Sequence, residues 1–489
     1  MRVVYLSSEV VPFAKTGGLA DIAGAIPKSL QKLGVEITVI MPLYGIIKEN
    51  KYPLVKTDIQ FEVKIGDKLK SGYVYKGFMP DSKVPVYFLD NEQYYGRNGL
   101  YNYPETTKDF EDNSERFIFL SQGALEVINK LNIYPDIVHC NDWQTGLVPV
   151  YLKTIYARKE CFKNTKTILT IHNIAYQGLF WHWDMKLTGL DWGLFNLKQL
   201  EFYGKLNFLK GGIVFSDLIN TVSKTYAKEI QTPEYGEGLD GVLRDRSKDL
   251  YGIINGVDYS IWNPETDKFV IANYGVKNLS GKQLCKKALQ NKFRLPERNI
   301  PVVGLITRLT DQKGLDLVVD KFHDLMKADL QFVLLGTGEQ KYQELFQTYA
   351  NKYPAKVAVK LNFDECSAHE IEAGSDMFLM PSRFEPCGLN QLYSLKYGTV
   401  PIVRSTGGLA DTITDVRSYP ITNGKANGFL FKEYNSDLLL ATIIRALDSF
   451  KNKTRWTKLM ISGMSQDWSW DMSAREYIAL YKKIVKREP

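Results

Sequence analysis

Residues 3–41 read VVYLSSEVVPFAKTGGLADIAGAIPKSLQKLGVEITVIM. Val3–Leu6 is a short apolar run, Leu19–Leu33 spaces its apolar residues as a helix does, and Glu36–Met41 is a second β-rich run. Strand, loop, helix and strand in that order open a parallel sheet, because parallel neighbours need a crossover that returns the chain to the same edge. Further runs with the character of buried strands stand at Asp136–His139, Thr167–His172 and Leu218–Thr221, with enough chain between them for crossover helices. The first half of the chain reads as one doubly wound α/β domain.

After Asn255-Gly256-Val257-Asp258 comes a polar stretch with Trp262-Asn263-Pro264, and near Pro301 the pattern restarts. PVVGLITRL, QFVLLGTG, MFLMPSRF and TVPIVRS are short β-rich runs, each leading into a helical segment, which predicts a second doubly wound parallel sheet. The domains are drawn at 1–258 and 259–472, followed by a terminal segment, 473–489. Within that segment Ser473–Val485 sets Tyr477, Leu480, Tyr481 and Ile484 on one helical face, so it must dock on apolar surface.

Composition narrows the function classes. At 489 residues and 44% hydrophobic content the chain exceeds what one core organises. The net charge of +7 is spread along the chain, which suits small anionic ligands and carries no nucleic-acid signature. Cys140, Cys161, Cys285, Cys366 and Cys387 are odd in number and scattered, with no CxxC and no histidine at metal-ligand spacing, against a disulfide framework or a structural zinc. The opening apolar run breaks at Ser7, Ser8 and Glu9, and no window approaches the ~20 apolar residues a bilayer needs. The expected location is the cytoplasm, or the plastid stroma for a trimmed precursor, with no membrane partner.

TGGLAD occurs twice, at Thr16–Asp21 and Thr406–Asp411, each time between a β-rich run and a helical one. Paired glycines form tight turns, and they also let backbone approach a ligand while the following helix offers N–H groups and its dipole to an anion. Lys15 flanks the first copy and Arg404 the second, which favours the anion reading. Arg308 and Lys313 lie in GLITRLTDQKGLD, just past a buried strand, where the crevice of a parallel sheet collects ligands and two cations suit a diphosphate. Glu385 lies in PSRFEPCGLNQ, on the elbow between the strand MFLM and a helix, placed to bond sugar hydroxyls or to stabilise positive charge at an anomeric carbon. His172 and Asp142 end strands on the crevice side; His139 and His182 lack that setting, and Trp181-His182-Trp183 reads as packing or a surface aromatic cluster.

Together these motifs resemble the bacterial glycogen synthase and plant starch synthase family through nearly the entire chain. KTGGLADIAGAIPKSL, VHCNDWQTGL, TIHNIAYQG, GIINGVD, TRLTDQKGLDL, PSRFEPCGLNQLYSLKYGT and STGGLADT stand in the family's order. The resemblance implies a GT-B architecture, with two Rossmann-like domains, the site in the cleft between them and a terminal helix that crosses back to the first domain. It implies transfer of glucose from ADP-glucose to the non-reducing end of an α-1,4-glucan with retention, so that ADP-glucose or ADP and the glucan are the partners. No metal or other cofactor is expected. Carried over to this chain, Glu385, His172, Arg308, Lys313 and Asp142 are the implied catalytic set. Lys15, Gly18, Asp21, Asn255, Phe363, Cys387, Thr406, Gly407 and Gly408 are the implied donor-binding set. Phe363 stands where the family often has a tyrosine stacked on adenine, and Cys387 lines the pocket without acting as nucleophile. Two other readings are a related transferase using UDP-glucose or making a sucrose- or trehalose-phosphate, and a glucan-binding protein without turnover. The KTGGL loop argues against the first, and the retained Lys15, Arg308, Lys313 and Glu385 against the second.

Overall fold

The computed structural model describes residues 1–106, 108–419 and 424–486. Its strands in chain order are β1 (Arg2–Leu6), β2 (Glu36–Pro42), β3 (Val55–Ile65), β4 (Lys68–Phe78), β5 (Pro85–Asp90), β6 (Ile137–Asn141), β7 (Lys166–Ile171), β8 (Leu179–Trp181) and β9 (Glu201–Phe202). They continue as β10 (Lys205–Asn207), β11 (Leu218–Thr221), β12 (Leu250–Gly252), β13 (Val302–Ile306), β14 (Gln331–Leu335), β15 (Val357–Lys360), β16 (Met377–Met380), β17 (Val400–Arg404) and β18 (Phe429–Phe431). The chain forms two units, Met1–Ile254 with Trp470–Pro489, and Asn255–Ser469.

In the first unit nine strands are ordered β12-β11-β7-β6-β1-β2-β5-β4-β3. Seven are parallel; β3 and β4 are an antiparallel hairpin added beside β5. That hairpin is an addition to the parallel sheet expected from sequence. β3 buries Phe61, Val63 and Ile65 in alternation, while Lys56, Asp58, Glu62 and Lys64 face out and blunt the sheet edge. Central β1 buries Val3, Val4, Tyr5 and Leu6 to 1% exposure, each such side chain contributing about 1.5–3 kcal/mol. The helix Gly18–Lys32 turns Leu19, Ile22, Ala23, Ile26 and Leu30 inward. It stops where Gly34 adopts φ +86° and the Val35 N–H returns to the Leu30 carbonyl. A separate antiparallel sheet, β8-β10-β9, carries Trp181 at the surface, and the turn after β8 carries Trp183 there too.

The helix Trp470–Val485 belongs to this unit: Tyr477, Leu480, Tyr481 and Ile484 are buried, and it packs on the helix Gly18–Lys32. Residues 487–489 of the terminal segment lie outside the described residues.

The second unit is a six-stranded parallel sheet, β15-β14-β13-β16-β17-β18. Taken from its first strand this is the order 3-2-1-4-5-6, and the parallel part of the first sheet follows the same order with β12 added as a seventh strand. Each sheet therefore has a topological switch point, between β1 and β6 and between β13 and β16. Loops leaving neighbouring strands in opposite directions open a crevice there. Asn255–Asp258, placed in the first domain from sequence, fold with the second unit: the Val257 N–H donates to the Trp468 carbonyl at 2.7 Å, and Val257 packs with Tyr259, Trp262 and Trp468. Trp470–Met472, in turn, join the first unit as the start of the terminal helix.

Candidate active site

At the switch point of the second unit the loops after β13 and β16 are locked together. Gly314 (φ +68°) lies so close to Pro381 that an added Cβ would stand 2.0 Å from the Pro381 oxygen, so only glycine lets the chain pass. The Arg383 N–H donates to the Gln312 carbonyl at 2.8 Å. This close approach delivers Lys313 Nζ to Glu385 Oε2 at 2.7 Å, and Ser382 Oγ donates to the same oxygen at 2.9 Å. Both partners are mostly shielded, which strengthens a charge-assisted contact. Arg308, one loop turn earlier, is exposed and has no ion-pair partner among the described residues.

The second TGGLAD copy packs beneath the FEPCG loop. Gly407 has φ +44°, and a Cβ there would sit 1.9 Å from the Glu385 carbonyl oxygen; at Gly408 it would sit 2.1 Å from the Cys387 oxygen. The Gly408 N–H donates to the Glu385 and Pro386 carbonyls, both at 3.1 Å. The expectation that the Gly408 backbone offers a donor to the ligand is therefore corrected: that N–H is used to hold Glu385. Arg404 is buried with its guanidinium on the Arg383 and Lys432 carbonyls, so it braces the loop and is not a free cation beside it. Thr406 is buried at the start of the same turn. Cys387 is also buried, and burial pushes its thiol up to about 12 against hydrogen bonds from Asn255, which keeps it protonated and unreactive at neutral pH. The buried Asn255 Oδ1 has no hydrogen-bond partner among the described residues. Phe363 projects its ring, 83% exposed, from the loop after the edge strand β15.

At the switch point of the first unit, Lys15 and Asp21 are exposed or half-exposed and pair at 2.7 Å. Gly17 and Gly18 contrast with the second copy: a Cβ at either meets nothing within 4 Å. Glu9, two residues past Ser7, is buried and accepts the Thr16 and Gly17 N–H groups and the Thr16 and Tyr101 hydroxyls. β6 ends in Asn141, and Asp142 follows it. Asp142 has φ +53° and ψ −169°, a conformation costly for a residue with a Cβ. Its Oδ1 accepts the His172 N–H at 2.7 Å, and burial, reinforced by Glu9, pushes its carboxyl up to about 7 against those backbone hydrogen bonds.

The tautomer of His172 follows from its neighbours. Asn141 Nδ2 donates to the Leu6 carbonyl at 2.9 Å, which fixes Asn141 Oδ1 as the acceptor facing His172 Nε2 at 2.9 Å. The proton is therefore on Nε2. Burial lowers the imidazole to about 3, so the ring is neutral and Nδ1 is a buried acceptor without a partner among the described residues. His139, by contrast, is held between Tyr481 and Thr170, both at 2.7 Å, as a core residue.

Each unit thus carries its share of the expected residues on loops at or next to its switch point: Lys15, Gly18, Asp21, Asp142 and His172 in the first, and Arg308, Lys313, Glu385, Cys387 and Thr406–Gly408 in the second, with Asn255 hydrogen-bonded to Cys387 and Phe363 apart from them after the edge strand β15. Glu9, Asn141 and Tyr101 were missed. Asn141 is the last residue of β6, and that strand-end position was its available signal; Glu9 and Tyr101 stand in loops that offer none. No three His, Cys, Asp or Glu side chains cluster as a metal site among the described residues, and no helix is long and apolar enough to cross a membrane.

The family described as starch synthase catalytic domain matches residues 2–245, and glycosyl transferases group 1 matches residues 287–459. Glycogen synthase of Thermosipho melanesiensis is 48% identical, covering 100% of both chains, and that of Thermotoga maritima is 48% identical over 100% of this chain and 99% of its own. The catalytic domain of starch synthase IV from Arabidopsis thaliana, solved bound to ADP and acarbose, has a TM-score of 0.89 at 34% identity over 99% of each chain. A sucrose-phosphate synthase from Thermosynechococcus elongatus, at 15% identity and a TM-score of 0.59 over 99% of this chain and 98% of its own, shares the fold alone.

Proposed function

This chain belongs to the family of bacterial glycogen synthases and plant starch synthases, and on that premise we propose that it transfers glucose from ADP-glucose to the non-reducing end of an α-1,4-glucan with retention at the anomeric carbon. The observation that carries the reading is the group at the β13/β16 switch point, where Lys313 is fixed against Glu385 at 2.7 Å and the same loop bears Arg308, which has no ion-pair partner among the described residues. As the anomeric C–O bond lengthens, negative charge gathers on the departing diphosphate. Arg308 and Lys313 stabilise that charge, and Lys15 adds to them. Glu385, placed by Lys313 and Ser382, meets the transferred glucose, and His172 accepts a sugar hydroxyl at its bare Nδ1. Phe363 supplies a face for the adenine.

Retention follows the same-face route. Glu385 already accepts from Lys313 and Ser382, which makes it a stabiliser of developing positive charge and a poor covalent nucleophile. The bond to the leaving phosphate breaks ahead of attack, the acceptor 4-hydroxyl adds to the face that phosphate leaves, and a phosphate oxygen takes its proton. Cations of the chain carry out the charge stabilisation, so the proposal includes no metal cofactor.

The test is transfer of labelled glucose to glycogen from ADP-glucose and from UDP-glucose, with and without EDTA, by the parent protein, Lys313→Ala and Glu385→Ala. Transfer from ADP-glucose, unaffected by EDTA and reduced at least about 100-fold in both variants, is the expected result for groups acting in the transition state. Preference for UDP-glucose overturns the donor assignment, loss with EDTA overturns the metal-free reading, and absence of transfer from either donor returns the protein to glucan binding.

A further inference from the structure

The first TGGLAD loop carries Lys15 and Gly18, yet its shape is not set by its own residues. Glu9 stands at the β1/β6 switch point at 3% exposure, with its backbone fixed where Ser7 Oγ donates to the Glu9 carbonyl at 2.6 Å. Glu9 Oε2 accepts the Thr16 N–H, and the Gly17 N–H at 3.2 Å. Oε1 accepts the Thr16 hydroxyl and the Tyr101 hydroxyl, each at 2.7 Å. Burial and Glu9 itself hold the Tyr101 phenol well above 10, so it remains a donor, and Ser8 Oγ–H completes the chain by donating to it at 2.7 Å.

We infer that Glu9 is the positioning residue of this loop: its carboxylate occupies the Thr16 and Gly17 N–H groups, so that the loop presents Lys15 and the Gly18 N–H to the nucleotide diphosphate. The Gly18 N–H has no partner among the described residues, and the space where Cβ atoms of residues 17 and 18 would lie is open to 4 Å. Neither glycine is needed for packing or for a positive φ, so their open sides are left for a ligand to approach. Four donors converge on one carboxylate, and no neutral side chain of the same size accepts them all. A glutamine loses the charge, and with its oxygen on the two N–H groups its NH2 fits only if the Thr16 and Tyr101 hydroxyls both turn round to accept. An aspartate retreats by one methylene and reaches only part of the set.

The inference rests on the proposed donor chemistry, and its test is a double-mutant cycle run with whichever nucleotide-glucose the parent protein uses. A wrong donor therefore shows in the parent and leaves the cycle interpretable. Glu9→Gln is expected to lower kcat/KM for the donor about ten-fold or more, with the KM for glycogen unchanged; in a Lys15→Ala background the same substitution costs several-fold less than in the parent, because of the two groups it positions only the Gly18 N–H is left. Should Glu9→Gln not fold, Tyr101→Phe removes one donor of the four and is expected to repeat the pattern with a smaller loss. Losses that simply multiply in the double variant, a glycogen KM that rises in step, or undiminished transfer by Glu9→Gln would each overturn the inference.

Discussion

Asp142 combines a backbone conformation that favours glycine, φ +53°, with a carboxyl that burial moves from 3.8 to about 7. Between those values the folded protein holds a proton that the unfolded chain has released, so stability falls as pH rises through this interval and the full cost, on the order of a few kcal/mol, is carried above it. Asp142→Asn removes the ionisation and keeps an oxygen for the His172 N–H. In scanning calorimetry it is expected to melt above the parent at pH 8 and level with it near pH 4, while transfer falls about ten-fold or more because the charge is lost from the site. Equal melting at pH 8 would show that Asp142 ionises without cost. Asp142 and His172 were legible in the sequence as polar residues at the ends of apolar runs. Glu9 was not, because its role is made by partners 7 and 92 residues away that no local pattern connects.

The twin TGGLAD turns show the same limit for whole elements. Their sequence and their strand-to-helix setting are alike, yet one is open above its glycines and the other is pressed against the FEPCG loop. Gly407→Ala puts a Cβ into the Glu385 carbonyl at positive φ and is expected to destabilise the protein by about 2–4 kcal/mol, with transfer lost as Glu385 shifts. Gly18→Ala meets no protein atom; its melting temperature stays at or slightly above the parent's, while the KM for ADP-glucose rises several-fold as the methyl stands on the ligand's side. Thermal melts and donor titrations of the two variants separate these effects. If Gly407→Ala melts like the parent, the fit of the turn beneath Glu385 is not what holds it. The repeat itself was readable because paired glycines before a helix are a local signal. Which copy they serve for ligand and which for packing depends on the loop laid over them.

At the scale of the whole molecule, the first unit is closed by the far end of the chain. Tyr481 bonds His139 on β6 at 2.7 Å and Tyr477 bonds Asn220 on β11 at 3.0 Å, in the sheet whose strands β6 and β7 lead into Asp142 and His172. Removing both hydroxyls and rings leaves buried polar groups unsatisfied, each costing about 1–3 kcal/mol beyond the lost packing. In Tyr477→Ala/Tyr481→Ala, hydrogen exchange is expected to lose protection in β6, β7 and β11 and to keep it in β13–β18; equal loss in both sheets would show that the helix serves the whole chain and not the first unit. The sequence by itself determined two doubly wound parallel sheets, the strand-end loops that bear Lys15, Asp142, His172, Arg308, Lys313 and Glu385, and the apolar face of the terminal helix. Strand and helix periodicity and glycine turns are short-range properties, written within a few residues of where they act. Only the tertiary structure decided the hairpin that extends the first sheet, the His172 tautomer, the different uses of the two glycine turns and the clamp at Glu9, because hydrogen-bond partners and steric neighbours in each case come from segments that only the folded chain brings together.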